Sequence, residues 1–135
     1  MFFPWKNEYS VGLEEIDLQH RLLINMIDDL YVAIYENEGS EAIPALLGHL
    51  KDYTRDHFAK EKTMMEEAGY EGLHGHLQEH DKMIAKVAEI ELKNSRGQIG
   101  GLSPLVVYLR NWLENHICII DKAMARELMN KNQEQ

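Results

Sequence analysis

Residues 73–94 read LHGHLQEHDKMIAKVAEIELKN, and the spacing of their apolar side chains decides what kind of chain this is. Leu73, Met83, Ile84 and Val87 recur with the period of an α-helix buried along one side. His76 and His80 fall on the same stripe. Each helical residue turns the chain by about 100°, which sends His74 roughly 160° away from His76, towards solvent. A helix that carries histidines on its buried face needs other helices to bury them against.

The rest of the chain has the same period and no strand alternation. A first helix is expected from about Ile16 to Asn37, stopped before Gly39. A second, capped by Ser40 and tolerating Pro44 near its first turn, runs to about Ala68 and ends at Gly69. The third, from Leu73 to Asn94, closes at the loop 95–101. Ser103 and Pro104 open the fourth as N-cap and first helical residue, and it continues to about Met129. Residues 1–12 form an irregular arm whose Phe2, Phe3, Trp5, Tyr9 and Val11 must pack somewhere, and 130–135 a frayed tail. Short connections between four helices of about 20 residues imply an all-α fold: an up-down-up-down antiparallel four-helix bundle, one domain over residues 1–135.

Bulk composition fits that expectation. The chain has 135 residues, 44% hydrophobic and 27% charged, the balance of an ordinary soluble globule. Its net charge of −9 disfavours nucleic acid and anionic membrane as partners. A single cysteine, Cys118, excludes an internal disulfide framework and points to a reducing, cytoplasmic setting. No apolar run reaches transmembrane length, and MFFPWKNE lacks the form of a signal peptide.

The seven histidines carry the functional information. On the fourth helix His116 lies within the stripe of Leu109, Leu113, Ile117, Ile120, Met124 and Leu128, with Asp121 at its edge. On the second, His57 and Glu61 share the face of Ile43, Leu46, Leu47, Leu50, Thr54, Met64 and Met65. His20 continues the line of Ile24, Ile27, Tyr31 and Ile34 on the first. His49 sits about 80° off the line of His57, on a flank. Five histidines and two carboxylates therefore face the interior, with every helix contributing and no lysine or arginine on the inward faces. Left unpaired, such groups cost on the order of several kcal/mol each. A cation resolves the conflict.

Imidazole with carboxylate, and no thiolate, suits iron, manganese or zinc. Seven protein ligands are too many for one ion and fit two. If both carboxylates bridge, a bridging oxide or hydroxide joins them, and the histidines divide three and two, one metal has six ligands and the other five. The open position then lies in an apolar cavity that a small neutral ligand such as dioxygen can reach. Spacing alone does not fix that division, and the five-residue step from His116 to Asp121, about 140° of helix rotation, is awkward for a shared site.

The chain resembles the hemerythrins, in particular the single-domain bacterial kind. The matching motifs are W-x(3)-Y-S-V-G and I-D-x-Q-H in residues 5–20, HFAKE at 57–61, HLQEH at 76–80 and W-L-x-N-H-I-x(3)-D at 112–121. The resemblance implies two non-haem iron ions with a bridging oxide or hydroxide. His76, His80 and His116 would hold one, His20 and His57 the other, with Glu61 and Asp121 bridging. Dioxygen would bind at the two-histidine iron, and small anions there in the oxidised protein. The family's oxygen pocket maps onto Leu23, Phe58, Trp112, Leu113 and Ile117. Of these Phe58 fits least well, about 100° from His57. His74 reads as a surface residue and Cys118 as an exposed bystander thiol.

Other readings explain less. HLQEH also fits the H-x-x-E-H of inverted zinc peptidases, which leaves the inward His20, His57, Glu61, His116 and Asp121 without a purpose. Ferritin-like oxidases rest on two E-x-x-H motifs, and this chain has one, Glu71 to His74, facing out. The expected function is reversible dioxygen binding for storage, delivery or sensing, with a di-iron enzyme consuming oxygen, peroxide or nitric oxide as the alternative. The mapped pocket offers no acid or base to cleave an oxygen–oxygen bond, which favours binding.

Overall fold

A computed structural model describes residues 1–36 and 42–133. The described residues contain helices and no strands. Helix α1 spans Glu14–Tyr35, α2 Ala42–Ala68 and α3 Leu73–Ser95. The fourth rod is α4, Ser103–Asn115, continued through a π-helical turn, His116–Asp121, into α5, Lys122–Gln133. The rods form an up-down-up-down bundle in which α1 and α3 each lie between α2 and the fourth rod.

Sequence and backbone agree best where glycine stops a helix. Gly69, at φ 63°, takes the left-handed conformation that ends α2, and the Tyr70 amide then reaches back to the Met65 carbonyl at 2.9 Å. Lys131 Nζ donates to the Gly69 carbonyl at 2.8 Å, tying this corner to the end of α5. The predicted stop at Gly39 and cap at Ser40 lie outside the described residues. Ser103 departs from expectation. It is the first helical residue, and Leu102 stands at the N-cap without a side-chain cap bond. Pro104 still falls within the first turn, where its missing N–H costs nothing.

The core holds Ile16, Leu23, Ile24, Ile27 and Leu30 from α1, Leu47, Leu50 and Phe58 from α2, Met83, Val87 and Ile90 from α3, and Leu105, Val106, Leu109 and Leu113 from α4. Ile84, expected on the buried stripe, is 51% exposed. It stands at the rim of an apolar cavity of about 330 Å³ between α2 and α3, where those two helices do not close over it.

The arm packs closely. Phe3 and Tyr9 are buried, Phe2 stacks on Tyr31, and the Arg21 guanidinium covers the Trp5 ring. Asp28 accepts from the Phe3 amide at 2.7 Å and Asp17 from the Val11 amide at 2.8 Å. The Tyr9 hydroxyl donates to Glu114, and burial together with that carboxylate pushes the phenol's pKa up. A 3-10 turn at Asn7–Tyr9 carries the arm past the π-turn. Cys118 consequently is not exposed. It is half-buried at the edge of the core, and burial raises its thiol pKa, which keeps it a poor nucleophile.

Candidate metal centre

Every rod supplies side chains to one buried polar cluster, nearer the end of the bundle at which α1 and α3 begin and α2 finishes. α1 brings His20, α2 His57 and Glu61 one turn apart, α3 His76 and His80 one turn apart, and the π-turn His116 and Asp121. All seven are 3% exposed or less. The π-turn resolves the awkward spacing, because i→i+5 bonding adds a residue to the turn and brings positions five apart onto one line. His116 Nε2 and Asp121 Oδ1 come within 3.1 Å.

The ligand atoms fall into two groups, in each of which they lie within 4.8 Å of one another. One is Glu61, His76, His80, His116 and Asp121; the other is His20, His57, Glu61 and Asp121. Both carboxylates belong to both groups, and their oxygens divide accordingly. Asp121 turns Oδ1 to His76 and His116, at 3.2 and 3.1 Å, and Oδ2 to His20 at 3.0 Å. Glu61 turns Oε1 to His80 and His76, at 3.1 and 3.5 Å, and Oε2 to His57 at 3.5 Å.

These contacts lack hydrogen-bond geometry. Both Glu61 oxygens, both Asp121 oxygens and Nε2 of His20 and His76 are buried without a hydrogen-bond partner among the described residues. Nε2 of His80 and His116 approach each other at 3.2 Å, two nitrogens of the same kind facing one another. Lone pairs that converge on common points instead of on donors are what a pair of cations requires, and buried polar groups otherwise find partners. Nitrogen and oxygen donors without sulfur suit iron, manganese or zinc. The residues fit two such ions.

Among the described residues, the ion-pair partners of the Glu61 and Asp121 carboxylates are histidines. Burial works against the ionised forms of Glu61 and Asp121, and the charge of Asp121 works against that of Glu61 as well. Even so, surrounding imidazoles bring Glu61 below its usual range and hold Asp121 well below it. Burial lowers His80 and takes His57 down to about 4. Burial opposes charge on His76 too, but the oxygens of Asp121 and Glu61 outweigh it and push its pKa up to about 9. Metal-free protein at pH ~7.5 thus keeps a proton on His76 that a metal must expel, since a ligand imidazole is neutral. Metal uptake is expected to release about one proton per chain there, read as a dependence of the calorimetric enthalpy on the buffer's ionisation enthalpy. No such dependence would contradict the assignment.

Four of the five residues mapped to the oxygen pocket, Leu23, Phe58, Leu113 and Ile117, are buried, and Trp112 is half-buried. Phe58 lies flat on His80, with ring centroids 3.7 Å apart and planes at 4°. Trp112 lies on His116 at 4.3 Å and 14°. The poor wheel angle of Phe58 is overcome by the reach of its ring. The cavity between α2 and α3 is lined by Thr54, Met83 and Leu109, each within about one helical turn of Phe58, His80 or Leu113. His49 and His74 are exposed, as is Glu71, and Glu79 is half-buried beside Lys82, so the glutamate a peptidase would use as base and the Glu71–His74 motif both lie outside the cluster. One polar contact is present in the sequence only as a letter of the I-D-x-Q-H motif: Gln19 Oε1 lies 2.6 Å from His57 Nδ1.

Comparison with known proteins agrees with this geometry. The hemerythrin HHE cation binding domain model matches residues 11–128. A bacteriohemerythrin of Stenotrophomonas maltophilia (strain R551-3) is 36% identical over 124 residues, 92% of this chain and 80% of that protein. One from Clostridium acetobutylicum (strain ATCC 824) is 29% identical over 125 residues, 89% of this chain and 96% of that one. The crystal structure of a wild-type hemerythrin superposes with a TM-score of 0.84 at 28% identity, covering 95% of this chain and 98% of that one. By fold, by buried histidine–carboxylate cluster and by sequence, this chain belongs to the hemerythrin family.

Proposed function

We propose that this protein binds dioxygen reversibly at a centre of two non-haem iron ions, as a carrier or store and not as an enzyme. The observation that carries the reading is the division of the Glu61 and Asp121 oxygens between the two groups, the arrangement two bridging carboxylates need. His76, His80 and His116 would hold one ion and His20 and His57 the other. Iron held there would supply the redox equivalents that dioxygen binding draws on. The chain supplies everything else: neutral imidazoles, two anionic bridges held in place by burial, and apolar walls.

Those walls favour binding over turnover. Nine polar or charged side chains are buried among the described residues. Seven are the cluster, and the other two, Gln19 and Thr54, are neither acid nor base. Outside the cluster, no buried carboxyl or histidine among the described residues is positioned to protonate and cleave an oxygen–oxygen bond, and Leu23, Leu113 and Ile117 would exclude water. No helix of the described residues is long and apolar enough to cross a membrane.

An oxygen electrode tests the reading. Reduced, iron-loaded protein is expected to take up about one dioxygen per pair of irons and then stop, whereas continued consumption in the presence of reductant points to an enzyme. Leu113, 5% exposed, supplies a second test. Leu113→Ala removes part of the wall, lowering stability by about 2–5 kcal/mol and admitting water. Oxidation to the inactive diferric form should accelerate, and an unchanged rate removes Leu113 from the pocket.

A further inference from the structure

The five inward histidines are not treated alike by their surroundings. Among the described residues, Nδ1 of His20, His76, His80 and His116 has no hydrogen-bond partner. Only His57 is backed, by Gln19 Oε1 at 2.6 Å, with both residues buried. We propose that Gln19 is a positioning residue for one metal ion only, holding His57 in the tautomer that offers Nε2 to the His20–His57 group. The proposal rests on the two-metal reading above.

A neutral imidazole has one proton, and an amide oxygen can only accept, so Gln19 Oε1 fixes that proton on Nδ1. The lone pair is left on Nε2, the atom that faces Glu61 Oε2 at 3.5 Å. Reversing the amide would present its NH₂ to Nδ1 and move the proton to Nε2, a form that cannot ligate. What sets the amide's direction is Glu15, one turn earlier on α1. Its exposed side chain offers Oε1, an acceptor, 3.5 Å from Gln19 Nε2, near the limit for a hydrogen bond but close enough to favour the NH₂ side. The tautomer of a buried ligand is thus fixed from the surface through one amide. The group it serves has two imidazoles against three in the other, so one wrong tautomer there removes half the nitrogen ligands.

The test is anaerobic Fe(II) binding to metal-free protein by equilibrium dialysis, with His57→Ala marking which ion belongs to the two-histidine group. Gln19→Leu is expected to weaken that ion by about 10–100-fold, the usual cost of losing a partner behind a ligand, and to leave the other unchanged. Gln19→Glu, which restores an acceptor, should rescue it. Nitrogen-15 spectra of the zinc-loaded and metal-free proteins give a readout that mere support of the fold would not move. His57 should be Nδ1–H in wild type and in Gln19→Glu, and mixed in metal-free Gln19→Leu. Should Gln19→Leu not fold, Glu15→Ala, which leaves the core intact, should weaken the same ion by a smaller factor. Equal weakening of both ions, or unchanged affinity and tautomer, overturns the proposal. Wild-type protein that binds fewer than two ions overturns the two-metal reading itself, a failure visible before any variant is made.

Discussion

Asp121→Ala is expected to cost the protein both metal ions, whereas His20→Ala costs one. The difference follows from membership. Asp121 belongs to both ligand groups and His20 to one, and Asp121 offers a separate oxygen to each side. Residues that merely back a ligand are worth roughly 10–100-fold in metal affinity, so loss of a shared ligand should exceed about 100-fold for each ion. Metal per chain, measured by elemental analysis after desalting, should fall from two to near zero in Asp121→Ala and in Glu61→Ala, and to one in His20→Ala. An Asp121→Ala protein that keeps one ion would mean that its carboxylate does not bridge.

Removing the metal should destabilise the fold more than most single core substitutions. Without cations, two carboxylates and five imidazoles stay 3% exposed or less with several of their atoms unpartnered, and groups of this kind are costly to bury. Free metal at about a thousand times its dissociation constant stabilises a folded protein by about 4 kcal/mol. For a domain of this size that corresponds to roughly 10–25 °C in Tm. Melting curves of loaded and chelator-treated protein, followed by circular dichroism at 222 nm, should separate by that margin. Coincident curves would show that the cluster is satisfied without metal.

Helix existence and the inward direction of the histidines were legible because each rod keeps a regular stripe for several turns. The exceptions have local causes. A wheel at 100° per residue has no place for the π-turn at His116–Asp121, so the five-residue step looked wrong when it was the feature that closes the cluster. Cys118 lies in the same turn, beneath an arm whose path no periodicity encodes, so its wheel position points outward although it is half-buried. Ile84 has a core residue's angle but faces a cavity that its neighbours leave open. A helical wheel gives only the direction of the Phe58 Cα, whereas its ring reaches back onto His80. Gln19 carries no charge, and its contact with His57 appears only when α1 and α2 are brought together.

The most direct test of the account is the optical spectrum of reduced, iron-loaded protein before oxygen, after oxygen and after sparging with inert gas. A charge-transfer band that appears with oxygen, disappears on sparging and returns with fresh oxygen is the predicted result. A band that decays to a diferric spectrum that sparging does not reverse would contradict reversible binding and make the centre an oxidant-consuming one.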